Sequence, residues 1–177
     1  MHQRLRDETG VRETASTPTP PPRKVSRRRN TATQRLSPMA TAISLLVQQP
    51  DLASAHALPE NLDPGTAEPG LALLKQLHAI AVSQPVLTTA ALIERFRDTG
   101  DATTLEKLAG KDHLLEEDHF SPFFAETLVT LEDQALARSI DTLVARAAQE
   151  DLDEDNKSRL AALYRQRAAL RQTRENS

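Results

Sequence analysis

The stretch LTTAALIERFRDTGDATTLEKLA, residues 87–109, decides the fold class. Thr88 or Thr89 offers a hydroxyl to cap a first helix, Gly100 stops it, and Asp101 caps a second helix carrying Leu105 and Leu108. Two helices around a glycine break allow three readings: a DNA-reading helix-turn-helix, part of an active site, or one corner of a bundle that grips another protein. A recognition helix presents base-reading side chains at its start. Here the second helix, DATTLEKLAG, sets Asp101 and Glu106 against Lys107, while Arg95 and Arg97 lie on the first. The corner is expected to be packing.

The flanking sequence continues in the same way. Ser37 followed by Pro38 is an N-cap with proline at the first helical position, and MATAISLLVQQ (39–49) runs as a helix until Pro50 forbids it. Asp51 then caps a short turn, DLASAHAL, and the three prolines and two glycines of PENLDPGTAEPG (59–70) preclude a helix. LALLKQLHAIAV (71–82) places Leu74, Leu77, His78 and Ala81 on one stripe at helical spacing. With abundant Ala and Leu, five Gly, one Tyr and no Trp, the composition points to helices packed on small side chains. The class is all-α.

Ser121 and Pro122 repeat the cap signature ahead of the longest candidate helix, from Phe123 to about Gln149, which would span roughly 40 Å. Its apolar stripe turns along its length. Phe124, Leu128, Leu131 and Ala135 share one side, whereas Leu136, Ile140, Leu143, Val144 and Ala147 lie about 100° or more around the axis. One helix is expected to serve two bodies. EDLDEDNK (150–157) makes an acidic turn with Asp153 as cap, and the last helix carries Leu160, Leu163, Tyr164 and Leu170. The expected hairpin core is Ile140, Leu143, Val144, Leu160 and Leu163.

The net charge of −3 conceals a split. Residues 1–37 hold nine Lys/Arg against three Asp/Glu, net +6, and residues 38–177 hold 13 against 22, net −9. The Pro-, Ser-, Thr- and Arg-rich segment 14–38 has little to bury and is expected to be a disordered linker. The organisation predicted is therefore a linker over 1–37, a helical bundle subdomain over 38–135 and a C-terminal hairpin subdomain over 136–177. A body this acidic is a poor general nucleic-acid binder, so a weak nucleic-acid contact is expected only through the basic run RKVSRRR (23–29) of the linker.

No catalytic constellation is visible. The absence of Cys excludes zinc-thiolate and cysteine chemistry. His113 and His119, with Glu116, Glu117 and Asp118 between them, lack i, i+3 or i+4 ligand spacing and a second cluster, so they are expected to belong to a solvated acidic loop. His78, on its apolar stripe, reads as a core or boundary histidine and not a catalyst. The sequence holds no phosphate-cradling glycine loop and no nucleophile elbow. No apolar run approaches the roughly 18 residues that span a bilayer, and no secretion signal leads the chain, so no membrane partner and a cytoplasmic location are expected.

Four motifs, SLLVQQPDLA (44–53), PGLALLKQL (69–77), SQPVLTTAALIERFRDT (83–99) and TLEKLA (104–109), occur in an order and spacing that resemble the C-terminal helicase-binding domain of bacterial replicative DNA primase, DnaG-type and proteobacterial. The resemblance runs from about Pro38 to about Leu170. It departs from the family where Gly110, Lys111 and Asp112 stand in place of a bulky aromatic.

The resemblance implies a helical bundle followed by a hairpin on a shared long helix. It implies no chemistry, no cofactor and no metal in this chain, primer synthesis belonging to upstream zinc-binding and polymerase domains of a parent nucleotidyltransferase. A chain that starts inside a linker is then expected to be a fragment or a truncated reading frame. The implied partner is the N-terminal domains of the hexameric replicative helicase, coupling primer synthesis to the replication fork. The residues expected to grip it are Tyr164, Arg167, Leu170 and Arg171, with the arginines and Leu170 toward the tip or outer face. The alternative is a helicase N-terminal-type bundle, or a free-standing regulator that self-associates through the hairpin.

Overall fold

The computed structural model describes residues 36–62, 68–84, 86–111, 113 and 116–175; the linker, with its basic run, lies outside the described residues. Helix α1 (Pro38–Gln48) begins as the sequence predicts, with the Ser37 hydroxyl accepting from the Ala40 amide at 3.2 Å and proline in the first turn. Every residue from Ala42 to Val47 is buried. A helix apolar on all sides belongs at the centre of a bundle, and α3 (Leu71–Ser83), α4 (Thr89–Glu94), α5 (Ala102–Ala109) and α6 (Phe120–Ala147) all pack on it. The short α2 (Leu52–Ala55) and a 3₁₀ turn at Glu60–Leu62 cover the side facing α3 and α6. All regular elements among the described residues are helical.

Local chemistry sets the corners. Gly70 precedes α3 with φ +89°, and a Cβ there would come within 3.0 Å of Met39 Cγ and 3.3 Å of Ile43 Cδ1, so backbone shape and close approach both require glycine. Thr88 caps α4 through the Ala91 amide at 3.3 Å. Asp51 and Asp101 stand at helix starts without a side-chain cap bond, contrary to expectation.

The one buried serine shows why α1 and α5 stay together. Ser44 Oγ donates to the Leu108 carbonyl at 2.7 Å and meets His113 Nε2 at 2.8 Å, while Gln48 Nε2 donates to Ser44 Oγ at 3.3 Å and to the Lys111 carbonyl at 2.7 Å. A hydroxyl has one proton, spent here on Leu108, so His113 must donate through Nε2. This corrects the reading of His113 as part of a solvated loop: it anchors the segment after α5 onto the central helix, its ring edge-on to Phe120.

Helix α6 starts at Phe120, earlier than predicted, because a 3₁₀ turn at Glu117–His119 leads into it. Ser121 therefore lies inside the first turn, and its hydroxyl bonds His56 Nε2 at 2.8 Å instead of capping. His78 is a boundary residue, donating through Nε2 to the His56 carbonyl at 2.8 Å. The turn of the apolar stripe is real. Phe124, Leu128 and Leu131 join the core around α1, while Leu136, Ile140 and Leu143 are buried further along the same helix, which carries α7 (Glu154–Glu175). The expected division at residues 135 and 136 thus falls inside one continuous helix, and the described residues from Leu36 onward belong to a single compact unit. No helix among them is long and apolar enough to cross a membrane.

Candidate interaction surface on the terminal hairpin

After α6 the chain reverses through residues 148–153, and Asp153 Oδ1 accepts from the Asn156 amide at 2.8 Å to cap α7. Glu154 and Asp155 occupy the first turn and Arg174 the last, the arrangement the helix dipole favours. No residue of α7 is buried. Its half-buried positions include Asn156, Leu160, Leu163, Arg167 and Leu170, spaced by four, three, four and three as in a two-helix seam. From Asn156 the stripe runs through leucines at 160 and 163 and, in its second half, sets Arg167 beside Leu170.

That end is electrostatic. Arg167 holds Asp133 of α6 with both carboxylate oxygens engaged, Nε to Oδ1 at 2.8 Å and Nη2 to Oδ2 at 3.3 Å. Arg171 approaches the same carboxylate at 3.4 Å, and Arg174 reaches Glu126 at 3.6 Å. The Arg167 hydrogen bond holds the Asp133 carboxyl below its usual value against a burial effect that would raise it, and the charges of Arg167 and Arg171 add to the depression. Arg167 is raised in turn, chiefly by its hydrogen bond to Asp133. On neighbouring positions of α6, Glu132 accepts from Asn61 at 3.4 Å and Arg138 pairs with Glu68, tying the helix to the bundle.

The expected site residues divide between two faces. Tyr164 is 51% exposed, and Arg171 is exposed apart from its edge contact with Asp133. Arg167 and Leu170 instead face α6, opposite its middle and far from the hairpin turn, which corrects their placement at the tip or outer face. Ile140 and Leu143 are buried and Leu160 and Leu163 half-buried, but Val144 is 45% exposed and is not part of the hairpin core. One step of about 100° beyond Leu143 carries Val144 past the seam onto its flank. Helical geometry puts Val144 and Tyr164 on the same flank, and Asp141 lies close enough there to act on the Arg167 charge. The other flank forms a crevice of about 260 Å³ with the 3₁₀ turn, lined by Asn61, Leu136, Ser139, Arg159 and Leu163. Asp133 was missed by sequence reasoning, although continuing the seam spacing from Leu160 and Leu163 to Arg167 and Arg174 would have called for an acid opposite.

His119 is exposed and 4.0 Å from Glu116, and no group of three or more His, Cys, Asp or Glu among the described residues is arranged to hold a metal ion. A family model described as DNA primase DnaG DnaB-binding matches residues 39–163, from the first turn of α1 to part-way along α7. The chain belongs to this family. It is 35% identical over 130 residues to the DNA primase of Escherichia coli K12, covering 73% of this chain and 22% of that protein, and 36% identical over 129 residues to that of Pasteurella multocida. The solved C-terminal domain of DnaG primase from Vibrio cholerae superposes with a TM-score of 0.60 at 28% identity, covering 72% of this chain and 96% of that domain. The chain thus spans 22% of the length of the E. coli primase it matches. The matched part is the DnaB-binding domain of a DnaG-type primase and not its catalytic part.

Proposed function

We propose that this chain is the non-catalytic module by which a DNA primase binds the N-terminal domains of the hexameric replicative helicase, coupling primer synthesis to the fork in the cytoplasm. The family match carries the reading. The fold is compatible with it: α1 is buried at the centre of a bundle, and α7 lies along α6 with none of its own residues buried, so much of its surface is open to a partner. Tyr164 and Arg171 are the accessible contacts, since Tyr and Arg carry a large share of interface energy.

Calorimetric titration of the whole chain into the helicase N-terminal domain tests the binding. Saturable heat is expected, and its absence at high concentration overturns the reading. Coupling is tested separately: excess chain should compete with full-length primase for helicase and lower primer yield in a helicase-dependent priming assay. Unchanged primer yield would remove the coupling while leaving the binding.

A further inference from the structure

Two kinds of contact hold α7 on α6. In the first half, Leu160 and Leu163 are half-buried on the side of α6 that buries Leu136, Ile140 and Leu143. In the second half the contacts include Leu170 and three guanidiniums, from Arg167, Arg171 and Arg174, drawn to two carboxylates, Asp133 and Glu126. The outer pairs are weak. Arg174 and Glu126 are 53% and 62% exposed and 3.6 Å apart, which leaves them open to screening by salt. Only the Arg167–Asp133 pair is shielded, at 26% and 25% exposure, with two hydrogen bonds in the fork geometry that suits guanidinium and carboxylate. Arg171 leans on the same carboxylate. A single charge on α6 therefore holds two of the three arginines.

We propose that the segment from Arg167 to Glu175 is an arm latched to α6 by Asp133, which opens while the first half of α7 stays docked and then presents Leu170, flanked by Arg167, Arg171 and Arg174, to an acidic surface with an apolar centre on the helicase. The closed latch is an autoinhibitory contact, because Asp133 and Glu126 occupy the guanidiniums that a partner's carboxylates would take. Local opening from the end of a helix with no buried residue is the cheapest motion the hairpin has, and a partner with two carboxylates in register replaces what the opening loses. The identity of the partner rests on the function proposed above; the latch itself does not.

Hydrogen exchange on the whole chain tests the latch without a partner. Asp133→Asn should speed exchange of the amides of residues 167–175 by about tenfold or more, leaving residues 154–163 and α1 unchanged. Wild type in about 1 M salt should show acceleration in the same segment, where the Debye length is roughly 3 Å. Arg167→Gln is the second variant and should reproduce the pattern if Asp133→Asn folds poorly. Uniform acceleration along all of α7, or none, overturns the latch. Titration against the helicase N-terminal domain tests the inhibition: Asp133→Asn should bind about threefold tighter or better, and equal or weaker binding overturns that role. If wild type does not bind at all, the helicase reading falls while the exchange pattern still decides the latch.

Discussion

The bundle and the hairpin share α6 but hold their helices by different means. Around α1, Leu45, Leu46, Leu74, Leu77, Leu92, Leu105, Phe124 and Leu131 are shut off from water, and the fully buried Ser44 hydroxyl has each hydrogen-bonding capacity filled. Along α7 nothing is buried, and arginine–carboxylate pairs take over where the leucines thin out. Close packing in a shared core melts as a unit, whereas ion pairs at a half-wet seam are released one by one by salt or by a competing charge. On the proposed function, the first would keep the module's shape and the second would leave α7 available to a partner.

The comparison is most easily broken at the core. Leu45→Ala should cost about 2–5 kcal/mol of unfolding free energy, the usual range for emptying a fully buried leucine site, and α7 should melt with the bundle because α6 belongs to both. The same truncation at half-buried Leu160 should cost less. Chemical denaturation followed by circular dichroism checks both, and equal losses would mean that the hairpin is as tightly built as the bundle.

Next comes the buried polar network. Ser44→Ala removes an acceptor of Gln48 and His113 and the shorter of two donors to the Leu108 carbonyl, which keeps Gln48 Nε2 at 3.3 Å, and should cost about 1–3 kcal/mol because a fully buried hydrogen-bonded group is lost. A loss below that range in the same denaturation experiment would show that water enters to replace the hydroxyl.

Much of this division was legible in the sequence. The Ser–Pro start of α1, its end before Pro50, a threonine cap ahead of α4 and the turning stripe of α6 are local or periodic signals, and each is present in the structure. What failed were two local signals, the Asp51 and Asp101 caps, which make no side-chain cap bond, and signals that depend on another segment. Ser121 looked like a cap until His56, far away in sequence, claimed its hydroxyl, and His113 looked solvated until Ser44 and Phe120 were brought beside it. On the hairpin, residue type misled. Arg167 was expected at the tip or outer face as a flank of an apolar anchor, and Val144 inside because it shares the apolar stripe of α6; pairing with Asp133 reversed the first and one helical step reversed the second.

A smaller effect should appear at acid pH. Asp133 has its carboxyl lowered in the folded chain, mainly by the Arg167 hydrogen bond, so the stability it contributes is present above the unfolded value of about 3.9. That contribution is lost as pH falls through the lower folded value. Docking of the second half of α7 should therefore hold from neutral pH to about pH 4 and weaken below it. Carboxyl carbon NMR gives the titration of Asp133 directly, and protection of residues 167–175 gives its consequence. Acid weakening of the same size in Asp133→Asn would assign the effect to other carboxylates.

The smallest effect on stability is expected at Tyr164, which the proposed function makes a contact with the helicase. Tyr164 is half out of the hairpin, on the flank it shares with Val144, and no hydrogen bond of its hydroxyl helps to hold α7 down among the contacts described. Replacing it with alanine removes an exposed ring, a kind of change that usually shifts unfolding by less than about 0.5 kcal/mol. If the helicase covers this flank, however, the ring passes from water into an interface, and its loss should weaken binding by about 1–3 kcal/mol. The two measurements must part company. Equal small changes in both would mean that the partner uses the opposite flank, by the crevice of Asn61 and Arg159, and Arg159→Ala would then be the variant that loses affinity.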